Sequence, residues 1–243
     1  MPKLICQEAT KFKKCIEAIT NLVEEGVFKF RQDGLYFKAT DPSQIAMIEF
    51  IMPKDAFEVY EFENQNAGID LRYFLQILSR ARAKEKLILE LSESTLHITF
   101  SNKTKRTFKI PLLDIAAQEL PDPKIEFTAK AKLNAGLIQD ALKDASLITT
   151  HVLITLNPEG LTISANSNKG ETSTFCSKEN LAMLETNSQA VAMFPLDYLQ
   201  NILKAAPADS EITLSLATDA PLKVAFSLNQ AKVVYYLAPR IEG

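Results

Sequence analysis

The chain has 243 residues and a mass of 27.1 kDa, with 47% hydrophobic and 23% charged residues and a formal charge of −3. That composition excludes a disordered or collagen-like chain and leaves room for one large domain or two ordinary ones. The mild acidity lacks the basic footprint usual for nucleic-acid binding, and seven glycines leave no glycine-rich phosphate cradle.

In chain order, Phe12, Cys15, Ile16 and Ile19 form one helical stripe, and alternating strands follow at 27–30, 35–39 and 45–51. The turn Gln32-Asp33-Gly34 supplies the glycine that a hairpin reversal needs at positive φ. A second stripe of Leu71, Phe74, Leu75, Ile77 and Leu78 predicts a helix within 70–84, and strands return at 87–91, 96–100 and 106–112. Residues 114–124 lose the alternation, carry three acids with Pro121 and Pro123, and read as an extended linker.

Beyond the linker the pattern starts again. A shift of 126 residues lays Phe12, Ile16, Ile19 and Leu22 on Ile138, Leu142, Ala145 and Ile148, and Asp33-Gly34-Leu35 on Glu159-Gly160-Leu161. A shift of 125 lays Leu71-Arg72-Tyr73 on Leu196-Asp197-Tyr198. Order and spacing both agree, so the chain reads as a duplicated domain: 1–113, a connector over 114–124, and 125–243. Each half is expected to carry two short amphipathic helices among many strands.

Catalytic signals are thin. His97 lies inside an alternating strand and is expected to face solvent, and His151 opens another; no spacing for zinc and no nucleophile elbow is present. The cysteines Cys6, Cys15 and Cys176 make no C-x-x-C pair and fit buried thiols of a reducing compartment. No metal, cofactor or catalytic residue is assigned. The start of the chain has no apolar leader, and no uncharged apolar run approaches the ~18 residues of a membrane span, so an intracellular soluble protein without membrane partners is expected.

The charge is unevenly spread. The predicted helical windows 9–20, 70–84, 132–146 and 195–206 hold ten basic and five acidic residues, a sum of +5 that leaves −8 for the rest. Lysines decorating solvated helices would give this pattern, and so would helices facing a polyanion through phosphate contacts without base readout.

Four segments carry a family resemblance. The ending Tyr235-Tyr236-Leu237-Ala238-Pro239-Arg240-Ile241-Glu242, the loop Thr40-Asp41-Pro42-Ser43-Gln44-Ile45-Ala46, the loop Asp219-Ala220-Pro221-Leu222 and the helix at 11–18 resemble the proliferating cell nuclear antigen family of sliding clamps. The short ending at Gly243 is similar to the archaeal members. The resemblance implies an α+β DNA clamp fold, two similar domains each with two helices packed on antiparallel sheets, and three subunits closing head to tail into a pseudo-sixfold ring around duplex DNA. It implies a non-enzymatic processivity factor, placed on DNA by a clamp loader, that docks DNA polymerase, flap nuclease and ligase through short peptides. Its location would be cytoplasmic and nucleoid-associated, or nuclear in a eukaryote.

Carried onto this chain, the DNA-facing residues would be Lys11, Lys13, Lys14, Arg80, Arg82, Lys84, Lys143 and Lys204. Gln76, Asp140 and Asp197 stand where members often carry base, which implies a weaker grip by the second domain. The peptide pocket would be lined by Thr40, Gln44, Ile45, Met47, Leu120, Pro121, Phe127, Pro221 and Leu222, and by the tail residues Tyr236, Leu237, Ala238, Pro239 and Ile241. Ring closure would pair an edge containing Lys105, Arg106, Phe108, Lys109 and Ile110 with one containing Glu171, Ser173, Phe175 and Ser177, with Glu171 or Glu179 meeting the lysines. A homotrimer and a heterotrimeric or checkpoint-type ring both fit, and an enzyme on a duplicated sheet scaffold is the reading from another class.

Overall fold

The computed structural model describes residues 1–117 and 119–240, which form two compact units. Unit 1 comprises residues 1–42, 48–121 and 227–233, and unit 2 comprises 43–47, 122–226 and the chain from 234. The architecture is α+β, with antiparallel sheets carrying two helices in each unit.

Unit 1 runs β1 (Lys3–Cys6), α1 (Ala9–Thr20), β2 (Glu25–Arg31), β3 (Gly34–Thr40), β4 (Ala46–Pro53, its first two residues counting with unit 2), β5 (Val59–Tyr60), β6 (Asn64–Asp70), α2 (Leu71–Leu78), β7 (Lys86–Leu91), β8 (Thr95–Ser101) and β9 (Lys105–Pro111). One sheet has the order β5-β1-β7-β8-β9; β6-β2-β3 lie side by side in another. The apolar stripe of α1 is buried through Phe12, Cys15, Ile16 and Ile19, and its Phe12 meets Phe74 of α2 edge to face at 6.4 Å. Burying each such side chain contributes about 1.5–3 kcal/mol. Cys15 Sγ also donates to the Leu228 carbonyl at 3.6 Å, and Asn229 Nδ2 donates to the Lys11 carbonyl at 3.0 Å.

The second helix is shorter than its window. It stops at Leu78, so Arg80, Arg82 and Lys84 stand on the turn 79–84, with Lys84 at φ 63°. Leu75 is half-buried, while Asp70 caps the helix by accepting from the Tyr73 N–H at 2.8 Å. Sequence periodicity misses β1 and β6. The latter reads Asn-Gln-Asn before its apolar residues begin, because it is an edge strand pairing only with β2 over its first half. His97, expected at the surface, is half-buried with Nε2 3.1 Å from Thr95 Oγ1.

Unit 2 follows the same plan with β10 (Ala129–Asn134), α3 (Ala135–Ala145), β11 (His151–Asn157), β12 (Gly160–Ser167), β13 (Gly170–Ser177), β14 (Met183–Thr186), β15 (Ala190–Pro195), α4 (Leu196–Lys204), β16 (Glu211–Leu216), β17 (Leu222–Leu228) and β18 (Ala231–Leu237), of which residues 227–233 count with unit 1. Its sheets order as β13-β12-β11-β15 and β14-β10-β16-β17. Asn134 caps α3 through the Gly136 N–H at 2.9 Å. Gln139 Nε2 donates to the carbonyls of Leu203 and Ala206 at 2.8 and 2.9 Å, closing the end of α4 without a glycine.

The duplication extends to the turns. Lys54 N–H donates to the Asp33 carbonyl at 2.8 Å, and Lys178 N–H donates to the Glu159 carbonyl at 2.9 Å. Both contacts press backbone onto a glycine. A Cβ on Gly34 would stand 2.4 Å from the Met52 oxygen, and one on Gly160 would stand 2.1 Å from the Cys176 oxygen. Neither neighbour is a movable side chain end. Gly34→Ala and Gly160→Ala are therefore each expected to cost about 1–3 kcal/mol, read as a lower urea midpoint at unchanged slope.

Candidate functional site

The helix surfaces carry less free charge than the sequence windows predict. The four helices hold six basic and four acidic residues, a net +2, because Arg80, Arg82 and Lys84 lie on a turn and Lys132 lies on β10. Several of the remaining cations already sit on carboxylates. Lys11 Nζ is 2.6 Å from Glu8, Lys13 Nζ is 3.0 Å from Glu17, Lys143 Nζ is 2.8 Å from Asp140, and Arg72 pairs with Glu24. Lys14 and Lys204 are exposed, and so are Arg80, Arg82 and Lys84. Lys204 occupies the last turn of α4, where a cation complements the helix dipole. Gln76, Asp140 and Asp197 are all exposed, so the missing bases at these positions are a property of the surface.

The two segments expected at a subunit boundary are both sheet edges. β9 pairs with β8 alone and β13 pairs with β12 alone, leaving one side of each without ladder partners in its sheet. Lys105 and Lys109 are exposed on β9, Phe108 is half-buried, and Phe175 on β13 is 56% exposed beside exposed Glu171 and Ser173. Ser177 is half-buried and accepts from Asn180 Nδ2 at 3.1 Å. Two expected boundary residues have other occupations. Ile110 is 2% exposed and belongs to the core of its own unit. Arg106 is held by Glu85 at 2.7 Å and lies over the Phe100 ring at 5.1 Å, so its charge is not free to meet a glutamate elsewhere.

The residues expected to form a peptide pocket divide between the units. In unit 2, Ala238 N–H donates to the Ile45 carbonyl at 2.8 Å, which docks the tail on the segment holding Gln44, Ile45 and Met47. Ile45 is 37% exposed, and Gln44 is exposed at φ 57°. Phe127, Pro221, Tyr236, Ala238 and Pro239 are half-buried; Lys223 Nζ lies 5.5 Å from the Tyr236 ring centroid. Leu222 and Leu237 are fully buried and Met47 nearly so, which makes these three core residues beneath the surface and not contacts on it. Ile241 lies outside the described residues.

In unit 1, Thr40 and Leu120 line a cavity of about 170 Å³ together with Val27, Ile115, Ala116 and Ala117. Pro121 is exposed, and its carbonyl accepts from Lys38 Nζ at 3.3 Å, while Lys29 pairs with Glu119 at 2.8 Å. Two lysines therefore hold the connector. Sequence reasoning missed Val27, Ile115 and Ala117; the apolar run Ile115-Ala116-Ala117 inside a charged linker was the available signal.

A cavity of about 690 Å³ in unit 2 is lined by His151, Ser164, Glu171, Ser173 and Arg240. His151 Nδ1 stands 3.3 Å from an Arg240 nitrogen and 3.0 Å from Thr150 Oγ1. Among the described residues no three His, Cys, Asp or Glu side chains group as a metal site, and no helix is long and apolar enough to cross a membrane. The three cysteines are buried thiols, with burial pushing Cys15 up to about 12.

The described residues thus form two α+β units of like plan, with basic residues at the helix surfaces and free strands at the sheet edges. Residues 1–119 match the family model of the proliferating cell nuclear antigen N-terminal domain, and residues 121–241 match that of its C-terminal domain. The chain belongs to the proliferating cell nuclear antigen family. It is 36% identical to a DNA polymerase sliding clamp of Thermofilum pendens over all of both chains, and 36% identical to one of Methanococcus maripaludis over 96% of each. Among solved structures it resembles the Thermococcus kodakaraensis clamp with TM-score 0.94 at 27% identity, covering 99% of this chain and 100% of that one. A. fulgidus PCNA, solved with the C-terminal region of FEN-1, gives TM-score 0.92 at 30% identity over all of both chains.

His151 yields a pH prediction. Burial, then the Arg240 charge, lower its pKa from 6.5, against an opposing effect of Asp197. The unfolded chain therefore binds more protons between the lowered value and 6.5, so this group penalises the fold at acid pH and the penalty vanishes as pH rises through that window. Arg240→Ala is expected to raise the His151 titration midpoint, followed by its imidazole proton shifts.

Proposed function

We propose that this chain is a DNA polymerase sliding clamp: a subunit of a closed ring that encircles duplex DNA and tethers replication and repair proteins without catalysing a step. The observation that carries the reading is full-length similarity to relatives bearing that name, over a fold whose helix pair occurs twice and whose sheet edges include β9 and β13. A ring holds DNA by topology, so the individual phosphate contacts are allowed to be weak. The low net charge of the helices, with several lysines on local carboxylates, fits a protein that slides.

In this reading the domains are 1–113 and 125–243, with 114–124 as connector. Lys14, Lys204, Arg80, Arg82 and Lys84 supply most of the phosphate attraction, and Lys11, Lys13 and Lys143 supply less because each shares its charge with an acid. β9 of one subunit pairs with β13 of the next, with Phe108 and Phe175 as apolar contacts and Lys105 and Lys109 facing Glu171. Such pairing removes two free edges per boundary. Short partner peptides, from polymerase, nuclease and ligase, dock on the exposed atoms of Ile45, Tyr236, Ala238 and Pro239 and on the connector. A loader opens the ring.

Three chains of 27.1 kDa make about 81 kDa, the mass expected by light scattering for the chain alone. The PCNA2–PCNA3 complex of Sulfolobus tokodaii, matched with TM-score 0.89 at 26% identity over 99% of this chain and 100% of that one, is the basis of a second reading. There this chain would stay at 27.1 kDa until a paralogue is added. Loaded rings are expected to remain on closed circular DNA and to leave the same DNA once it is cut; equal retention on both forms would sink the topological mechanism. Ile45→Glu is expected to weaken binding of a polymerase C-terminal peptide at least 10-fold in titration calorimetry while leaving retention on circular DNA intact.

A further inference from the structure

We propose that Glu85 is a positioning residue for the edge strand β9, fixing it to the turn 79–84 and thereby presenting it to a neighbouring subunit. The second half of this statement rests on the ring reading above. An edge strand is held by a ladder on one side only, so its twist depends on what its side chains grip.

β9 grips through Arg106. Its Nη2 donates to Glu85 Oε1 at 2.9 Å, to Glu85 Oε2 at 2.7 Å and to the Arg80 carbonyl at 3.0 Å, and the guanidinium lies 5.1 Å from the Phe100 centroid. Glu85 is 3% exposed and is tied in turn on every side. Its carboxylate accepts from the Arg82 N–H at 2.7 Å, its own N–H donates to the Arg82 carbonyl at 3.2 Å, and its carbonyl accepts from the Ala9 N–H at 2.8 Å. One residue therefore joins the edge strand, the basic turn and the first residue of α1.

The pair is not built for stability alone. Arg106 Nε is buried with no acceptor among the described residues, an uncompensated donor that an apolar contact would avoid. Burial pushes the Glu85 carboxyl up, but hydrogen bonds from Arg82 and Arg106 and the Arg106 charge bring it below the usual range, so it is ionised at neutral pH. What this arrangement secures is geometry. Arg106 Nη2, shared between the Glu85 carboxylate and the Arg80 carbonyl while the guanidinium lies over the Phe100 ring, sets both the position and the orientation of β9, a combination that the point charge of a lysine at 106 would not reproduce.

The test uses the full chain with Glu85→Ala, Glu85→Gln, Arg106→Ala and the double variant Glu85→Ala/Arg106→Ala. Backbone amide exchange is read strand by strand, and subunit dissociation is read by sedimentation on dilution. Glu85→Ala is expected to speed exchange in β9 at least 10-fold with β7 unchanged, and to raise the subunit dissociation constant at least 10-fold. The double variant should be no worse than the worse single one, because the two side chains act as a unit. Glu85→Gln keeps the volume and loses the charge, so it reports the same coupling if the alanine variant folds poorly. Unchanged β9 exchange, or an equal rise in every strand, overturns the positioning role. A parent chain that remains at single-chain mass overturns the ring of three identical chains instead, and β9 exchange still decides the role of Glu85.

Discussion

The free backbone edge is the constraint on which the rest of this structure depends. A strand ladder satisfies its peptide groups in pairs, and the outermost strand always has a row left over. Among the edge strands here are β9 in unit 1 and β13 in unit 2, and the two are chemically different. β9 alternates exposed Lys105 and Lys109 with a half-buried Phe108, while β13 offers Glu171, Ser173 and an exposed Phe175. Two edges of unlike charge on one chain favour head-to-tail association over self-pairing. Under the proposed function, the same hydrogen-bonding pattern that builds each unit also closes the ring.

Charge is managed locally. A formal −3 averages over a surface on which lysines are distributed to the helices and then partly neutralised by acids three or four residues away. Lys14, Lys204, Arg80 and Lys84 make no ion pair among the described residues, whereas the charge of Arg82 acts on Glu85. That turn is in turn steadied by Glu85, whose own charge is consumed by Arg106. An acidic side chain thus supports a basic surface without cancelling it.

Duplication made most of the fold readable in the sequence. Phe12, Ile16, Leu71 and Phe74 recur at fixed offsets, so the four helices and most strands follow from periodicity. What was not readable had local causes. β6 hides behind Asn-Gln-Asn, and α2 ends at Leu78 although its basic continuation looks helical. For the site, residue type alone could not separate surface from core: Ile45 is exposed, while Leu222 and Leu237, equally apolar and nearby in the family pattern, are fully buried. Nor could it show that Arg106 is engaged. Ion pairing between residues 21 apart in sequence leaves no spacing signal.

Gln139 has a consequence for how this chain can change over time. The end of α4 is completed by an amide that projects from α3 onto the carbonyls of Leu203 and Ala206. Adding or deleting one residue in α3 upstream of Gln139 would rotate that amide by about 100° around the helix and leave both acceptors without it. The pair α3–α4 is therefore intolerant of length variation in a way that α1–α2, joined by an aromatic edge contact of broad geometry, is not. Of the two copies of the duplicated helix pair, the second is the one whose length lineage drift should preserve.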